Sequence, residues 1–447
     1  MNGKITFGIN LIDKKPLSVN LAELINPHIL IVGVSGSGKS YNIKKLLESI
    51  AKNYPIKRIY NIDGQGDLAT PNTSSVVFTE SGNVGINPLK LSSDPVFGGV
   101  RKKVQQFINA INKTSRQLGN RQEAVLRNLL KDLYMANGFF EDDPSTWKLE
   151  EDGYYRRKYP DAQDLLRFTY SKLVSKKFGL TRESVKYFHE LEKLNKKKSK
   201  LIKEKIRLEH QKRQNYENEE YIKNEMKIID KQIEEVKEKI KTAFLSALEK
   251  ANGAEEKDII KYENVETLKS VYDVLENLFS VGFFKSKEPK FDFEKKIWRY
   301  DISSLNIDEQ KLFAEFVGSD LFNKARETGL KDRVYEYLVI DEAKKFTDLK
   351  KDKDDILKLV AREARKYGLG QILATQQIEH IPEDIIQNSG ITLVLGVHES
   401  KADLISKKLN VKKDYLLKIK PHKTALISIK TRNSSNDFYY PIIIDIK

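Results

Sequence analysis

The sequence predicts an α/β chain, a mostly parallel sheet flanked by helices and interrupted by a large all-helical insertion. Three observations carry this. Short continuous apolar runs, typical of strands buried on both faces, occur at residues 28–32, 337–340, 371–375 and 391–395. Helical periodicity separates those runs, so parallel crossovers are the simplest topology. Between about residues 94 and 289 the buried-strand runs disappear and helical spacing takes over.

Taken in order, the first 25 or so residues form a short β-rich lead-in. The strand His28-Ile29-Leu30-Ile31-Val32 follows, then a Gly/Ser-rich turn, then an amphipathic helix with Ile43, Leu46, Leu47 and Ile50 on one face. A second strand over 58–62 ends at Asp63-Gly64-Gln65-Gly66-Asp67 and completes a βαβ unit. In the helical region, Phe107, Ile108 and Ile111, then Val125, Leu126, Leu129, Leu130 and Leu133, recur at helical spacing. Residues 180–252 contain neither Gly nor Pro and are densely charged with both signs. There, Ile222, Met226, Ile229, Ile233, Val236 and Ile240 alternate steps of four and three, a heptad seam. Leu191, Leu194, Leu201 and Leu208 give a weaker seam, and the polar run Gln214-Asn215-Tyr216-Glu217-Asn218 separates the two. The reading is an antiparallel coiled-coil hairpin over about 186–244; one long irregular helix is the competing reading. Strand signals return at 297–302, and the chain closes with a hairpin of 425–429 and 439–444 around Asn433-Ser434-Ser435-Asn436-Asp437. The expected domains are 1–95, the first part of the α/β core; 96–290, the helical insertion; and 291–447, the rest of the core.

Composition narrows the function classes. The chain has 447 residues, with 79 Lys+Arg against 64 Asp+Glu and a net charge of +15. That excess favours a polyanionic partner, nucleic acid first, over a merely Lys-rich solvated surface. The absence of cysteine excludes disulfides and thiolate metal sites, and the six His show no ligand spacing. No apolar stretch reaches ~18 residues and the start lacks a signal-peptide pattern, so the expectation is a soluble cytoplasmic protein.

Gly33-Val34-Ser35-Gly36-Ser37-Gly38-Lys39-Ser40 fits G-x-x-x-x-G-K-[ST] at every position and lies between a buried strand and a helix, as the chemistry requires. Its glycines let the backbone N–H groups face the β- and γ-phosphates of a nucleoside triphosphate, and the helix N-terminus adds partial positive charge. Lys39 reaches the β/γ oxygens, Ser40 offers its hydroxyl to Mg²⁺, and Tyr41 completes the candidate nucleotide contacts. A chance Gly/Ser turn is the alternative; strand and helix context oppose it.

Tyr337-Leu338-Val339-Ile340-Asp341-Glu342-Ala343 is an apolar strand ending in two acids. Asp341 is assigned to the metal and Glu342 to the general base that takes a proton from the attacking water. A surface Asp-Glu opening a helix is the bland reading. A base of this kind calls for an extra strand between the phosphate-loop strand and the acid strand, and 371–375 is the candidate. Its polar tip, Thr375-Gln376, is expected to face the γ-phosphate and the attacking water as a sensor, with Gln376 the candidate catalytic residue; a strand-end hydrogen bond without catalytic role is the alternative.

Together with Asp341-Glu342-Ala343, the segments Ala361-Arg362-Glu363-Ala364-Arg365-Lys366-Tyr367-Gly368-Leu369-Gly370 and Leu373-Ala374-Thr375-Gln376 resemble the HerA/FtsK superfamily, nearest its HerA and conjugative type IV secretion branch. Residues 381–390, 61–67 and 85–89 are similar to segments of that branch as well. The resemblance covers about 25–95 and 290–445. It implies a RecA-like P-loop ATPase core using ATP and Mg²⁺, a homohexameric ring, and translocation of double-stranded DNA without sequence preference. It also implies an arginine supplied in trans; Arg362 and Arg365 match the arginine-bearing segment, Arg362 foremost, and Arg432 is a weaker candidate, the alternative being that Arg362 and Arg365 are both ordinary surface or salt-bridge arginines. Two features depart from the family: the usual N-terminal β-barrel is not matched by the 25 residues before the loop strand, and the coiled-coil arm is an addition that could hold a protein partner. Two other classes compete. An SMC- or ABC-type clamp needs an L-S-G-G-type signature before the acid strand, and none is present. An ATP-switched assembly or secretion scaffold would use the arm for docking.

Overall fold

The structure, a computed structural model, describes residues 3–114, 117–149, 157–178, 193–208, 219–249, 261–262, 264–347, 355–434 and 438–444. The described chain divides into two compact units, one of residues 1–118, 134–162 and 279–447, the other of 119–133 and 163–278.

The first unit is built on one sheet. Its strands are β1 (Lys4–Asn10), β2 (Pro16–Asn20), β3 (His28–Gly33), β4 (Arg58–Asp63), β5 (Thr73–Val77), β6 (Ile297–Asp301), β7 (Glu336–Ile340), β8 (Leu369–Thr375), β9 (Ser389–Gly396), β10 (Thr424–Ile429) and β11 (Tyr439–Ile443). Their spatial order is β2-β1-β11-β10-β9-β3-β8-β7-β4-β6-β5. From β9 to β5 all neighbours run parallel, while β10, β11, β1 and β2 add an antiparallel wing. This is the mostly parallel α/β core that the buried apolar runs call for. β8 lies between β3 and β7, the place expected for the extra strand.

β3, β7, β8 and β9 are buried at every residue, which explains their unbroken apolar runs. β5, Thr-Ser-Ser-Val-Val, has no such run because it is an edge strand with no fully buried residue; sequence reasoning passed over it. The helix α1 (Lys39–Asn53) packs Ile43, Leu46, Leu47 and Ile50 onto the same core as Ile29 and Ile31 of β3. Each such side chain contributes about 1.5–3 kcal/mol of burial. That packing fixes the start of α1 against the end of β3, and so fixes the loop between them.

In the second unit, residues 193–208 and Glu219–Glu249 are helical. On the latter, Ile229, Ile233, Val236 and Ala243 are buried, while Ile228 at 52% exposure is not. The steps of four and three therefore read an inward-facing stripe. Leu194, Leu201 and Leu208 are half-buried, and Lys205 Nζ lies 2.5 Å from Asp230. Leu191, the polar break at 214–218 and the side chain of Ile222 lie outside the described residues, as do 435–437 of the final turn. Among the described residues no helix is long and apolar enough to cross a membrane.

Candidate functional site

Gly33 ends β3, and six residues later Lys39 opens α1. Gly36 and Gly38 take φ of 73° and 86°, a left-handed conformation that glycine adopts without Cβ strain. A Cβ on Gly36 would meet nothing within 4 Å, so this side of the loop is open. The loop closes on itself: the Ser37 N–H donates to the Val34 carbonyl at 3.2 Å and Lys39 Nζ to the same oxygen at 3.3 Å. Lys39 is 8% exposed, Ser40 half-buried, and Tyr41 exposed at the first turn of the helix.

The two acids follow β7. Asp341 and Glu342 are 3% and 8% exposed. Glu342 has φ 55° and ψ 48°, a left-handed backbone for a residue with a side chain, which costs on the order of 1–3 kcal/mol. The twist lets the Glu342 N–H donate to Asp341 Oδ1 at 2.7 Å, while Asp341 Oδ2 is buried without a partner among the described residues. Gln376, directly after β8, donates from Nε2 to Glu342 Oε2 at 3.0 Å.

The register brings these groups together. Val32 pairs with Thr375 and Leu373 with Ile340, so β3, β8 and β7 end side by side, about 10 Å across at the usual strand spacing. The electrostatics agree. Burial raises the Asp341 carboxyl to about 6; the charges of Glu342 and Asp67 add to this, while the Glu342 N–H and the Lys39 charge oppose it. Burial lowers the Lys39 ammonium, against the pull of Glu342 and Asp341. Loop lysine, both acids and the Gln376 amide thus share one region at the carboxyl ends of the strands, where open α/β sheets hold ligands.

A second buried group borders it. Asp63, ending β4 beside β7, accepts the N–H groups of Gln65, Gly66 and Leu68 at 3.1, 2.7 and 2.9 Å. Arg299 Nε donates to the same carboxylate at 2.6 Å and Arg299 Nη2 to Asp301 at 2.9 Å. This network fixes the loop that carries Asp67 toward Asp341. The sequence reading gave the segment no chemical role; its signal was an acid ending a buried strand ahead of two glycines.

Arg362 and Arg365 lie elsewhere. Arg362 lies in the last turn of the helix Ile356–Glu363 and Arg365 sits in the 3-10 turn after it. Arg362 Nε is 3.9 Å from Asp384, and Arg365 Nη1 donates to Asn26 Oδ1 at 3.3 Å. With Arg333, Arg432, Lys331 and Lys366 they line a cavity of about 550 Å³ beside the residues that precede β3, β7, β8 and β9. That is the amino end of the strands, roughly 20 Å from the phosphate loop for strands of this length. Within one chain neither arginine reaches the loop.

The family described as "Helicase HerA, central domain" matches residues 10–229. The chain is similar in structure to VirB4 of Thermoanaerobacter pseudethanolicus, with TM-score 0.59 and 16% identity over 100% of this chain and 97% of that one. It is also similar to the plasmid coupling protein TrwB in complex with ADP and Mg²⁺, with TM-score 0.52 and 12% identity over 100% and 91% of the two chains. The unbound monoclinic form of the bacterial conjugative coupling protein TrwBΔN70 gives TM-score 0.52 and 10% identity over 100% and 90%. At these identities the likeness shows the fold. No curated protein matches the chain. Phosphate loop, acid strand with its intervening neighbour, the family match over residues 10–229 and the shared fold agree with one another: the chain resembles the HerA/FtsK type of P-loop ATPase and has the fold of VirB4 and TrwB.

Proposed function

We propose that the chain is a Mg²⁺-dependent ATPase that assembles as a homohexameric ring and uses hydrolysis to move double-stranded DNA without sequence preference. The observation that carries this is the convergence of Lys39, Asp341, Glu342 and Gln376 at the ends of three adjacent strands. The backbone N–H groups of Gly33–Ser40 and the Lys39 ammonium bind the phosphates. Residues present fit magnesium: the unpartnered, buried Asp341 Oδ2 is a hard oxygen donor beside the loop, and the Ser40 hydroxyl is the second. Among the described residues no three metal-binding side chains cluster, so nucleotide and water would complete the shell. Bound there, the metal neutralises phosphate charge. Gln376 holds Glu342 by Oε2, leaving Oε1 to take the proton of the attacking water. Arg362 or Arg365 would complete the site of a neighbouring chain, since neither reaches its own. The net charge of +15 supports DNA as the polyanion, held through phosphates, and cytoplasmic placement belongs to the same reading.

The test is ATPase rate with and without duplex DNA, alongside sedimentation. Stimulation by DNA and a hexameric mass are expected; an unstimulated, monomeric protein would refute the motor. A second reading, a scaffold switched by ATP with the helices of 193–208 and Glu219–Glu249 as a docking arm, is favoured by the buried heptad stripe on an otherwise charged helix.

A further inference from the structure

Across the sheet, the phosphate loop has two unlike flanks. On the β8–β7 side stand Gln376 and Glu342, the groups suited to the γ-phosphate. The other end of a nucleotide seated in the loop must then leave on the β9–β10 side. That side is shaped by the turn Lys420–Thr424, closed by donation from the Thr424 N–H to the Lys420 carbonyl at 2.9 Å and from the Lys420 N–H to Thr424 Oγ1 at 2.8 Å.

In this turn His422 takes φ 64°, one of only four left-handed non-glycine residues among those described; Glu342 is another. Such a backbone is disfavoured for a side chain and is held only where the surroundings impose it. Here it carries the imidazole onto the phosphate loop. A Cβ on Gly38 would lie 3.0 Å from His422 Nδ1, and one on Gly396, after which β9 ends, 3.8 Å from Pro421. His422 is nonetheless exposed, so its ring borders the loop on one side and solvent on the other. Tyr41, 60% exposed at the first turn of α1, stands on the same loop-to-helix junction.

The geometry points to His422 as a nucleoside-contacting residue: its ring forms the wall against which the ribose and base of the bound nucleotide rest once the phosphates are in the loop. This rests on the nucleotide reading above. A planar ring suits a base or sugar face, against which it packs by stacking. The wall therefore adds affinity for nucleoside triphosphates but none for a bare phosphate chain.

The experiment compares binding of ATP and of inorganic tripolyphosphate, both with Mg²⁺, to the full chain and to His422→Gly and His422→Asn. Gly and Asn both tolerate the left-handed backbone, so the turn is kept and only the ring is lost. ATP affinity should fall about tenfold in both variants, with tripolyphosphate affinity unchanged. Equal losses for both ligands would make the turn a prop for the phosphate loop and overturn the inference, as would unchanged ATP affinity. A wild-type chain that binds neither ligand overturns the nucleotide reading and this inference with it, a result distinct from any change confined to the variants.

Discussion

Lys39 opposes the rise of the Asp341 carboxyl, and its own ammonium is lowered by burial against the pull of Glu342 and Asp341. Lys39→Ala should lower ATP turnover by on the order of 10²-fold or more, measured as steady-state phosphate release. Glu342→Gln keeps the size of the side chain and removes the base. Turnover should fall ~10²–10⁴-fold while ATP binding persists, and a variant that still turns over at the wild-type rate would take Glu342 out of that role. His28, at the start of β3, gives a pH prediction unrelated to nucleotide. Burial, with the nearby Arg365 charge, lowers its pKa from 6.5 to about 4, and its Nδ1 accepts the Gln371 N–H at 3.2 Å. The unfolded chain therefore binds a proton between pH 6.5 and 4 that the folded chain refuses, so stability is lost as pH falls through that window. The full loss is about 3 kcal/mol. Thermal unfolding of the wild type should shift down between pH 7 and 4.5 more steeply than that of His28→Gln.

At the scale of elements, legibility followed burial. β3, β7, β8 and β9 are enclosed on both faces, so apolar runs mark them in the sequence, and the phosphate loop is local because its chemistry needs consecutive backbone N–H groups. β5 is an edge with exposed polar residues and left no such mark. The role of Asp63 was equally silent, because its partner Arg299 lies on a strand far along the chain. The buried stripe of the helix Glu219–Glu249 was legible as heptad spacing, though what it packs against was not. Deleting 188–244 separates two uses of the arm proposed above. ATP hydrolysis and DNA binding, measured by phosphate release and by fluorescence anisotropy, should both survive if the arm is an adaptor; loss of DNA binding alone would make it part of the track contact.

For the whole molecule, the proposed role of Arg362 or Arg365 requires a neighbouring chain, because both lie at the far end of the sheet from their own loop. Lys39→Ala and the double variant Arg362→Ala/Arg365→Ala should each be inactive alone. Mixed, they should recover turnover, because intact loop and intact arginine can then meet across an interface between chains. No recovery on mixing would place the arginines outside the reaction.

The sequence by itself determined the local chemistry: the glycines that must turn left-handed, the lysine behind them, the acids at a strand end, and the apolar runs of an α/β core. These depend on neighbours a few positions away or on burial, and both leave their pattern in one stretch of chain. Only the tertiary structure decided which distant stretches meet. Strand order set Gln376 on Glu342, laid the His422 turn against Gly38, and sent Arg362 and Arg365 to the far end of the sheet. Register and crossover are properties of paired strands, so no single segment encodes them.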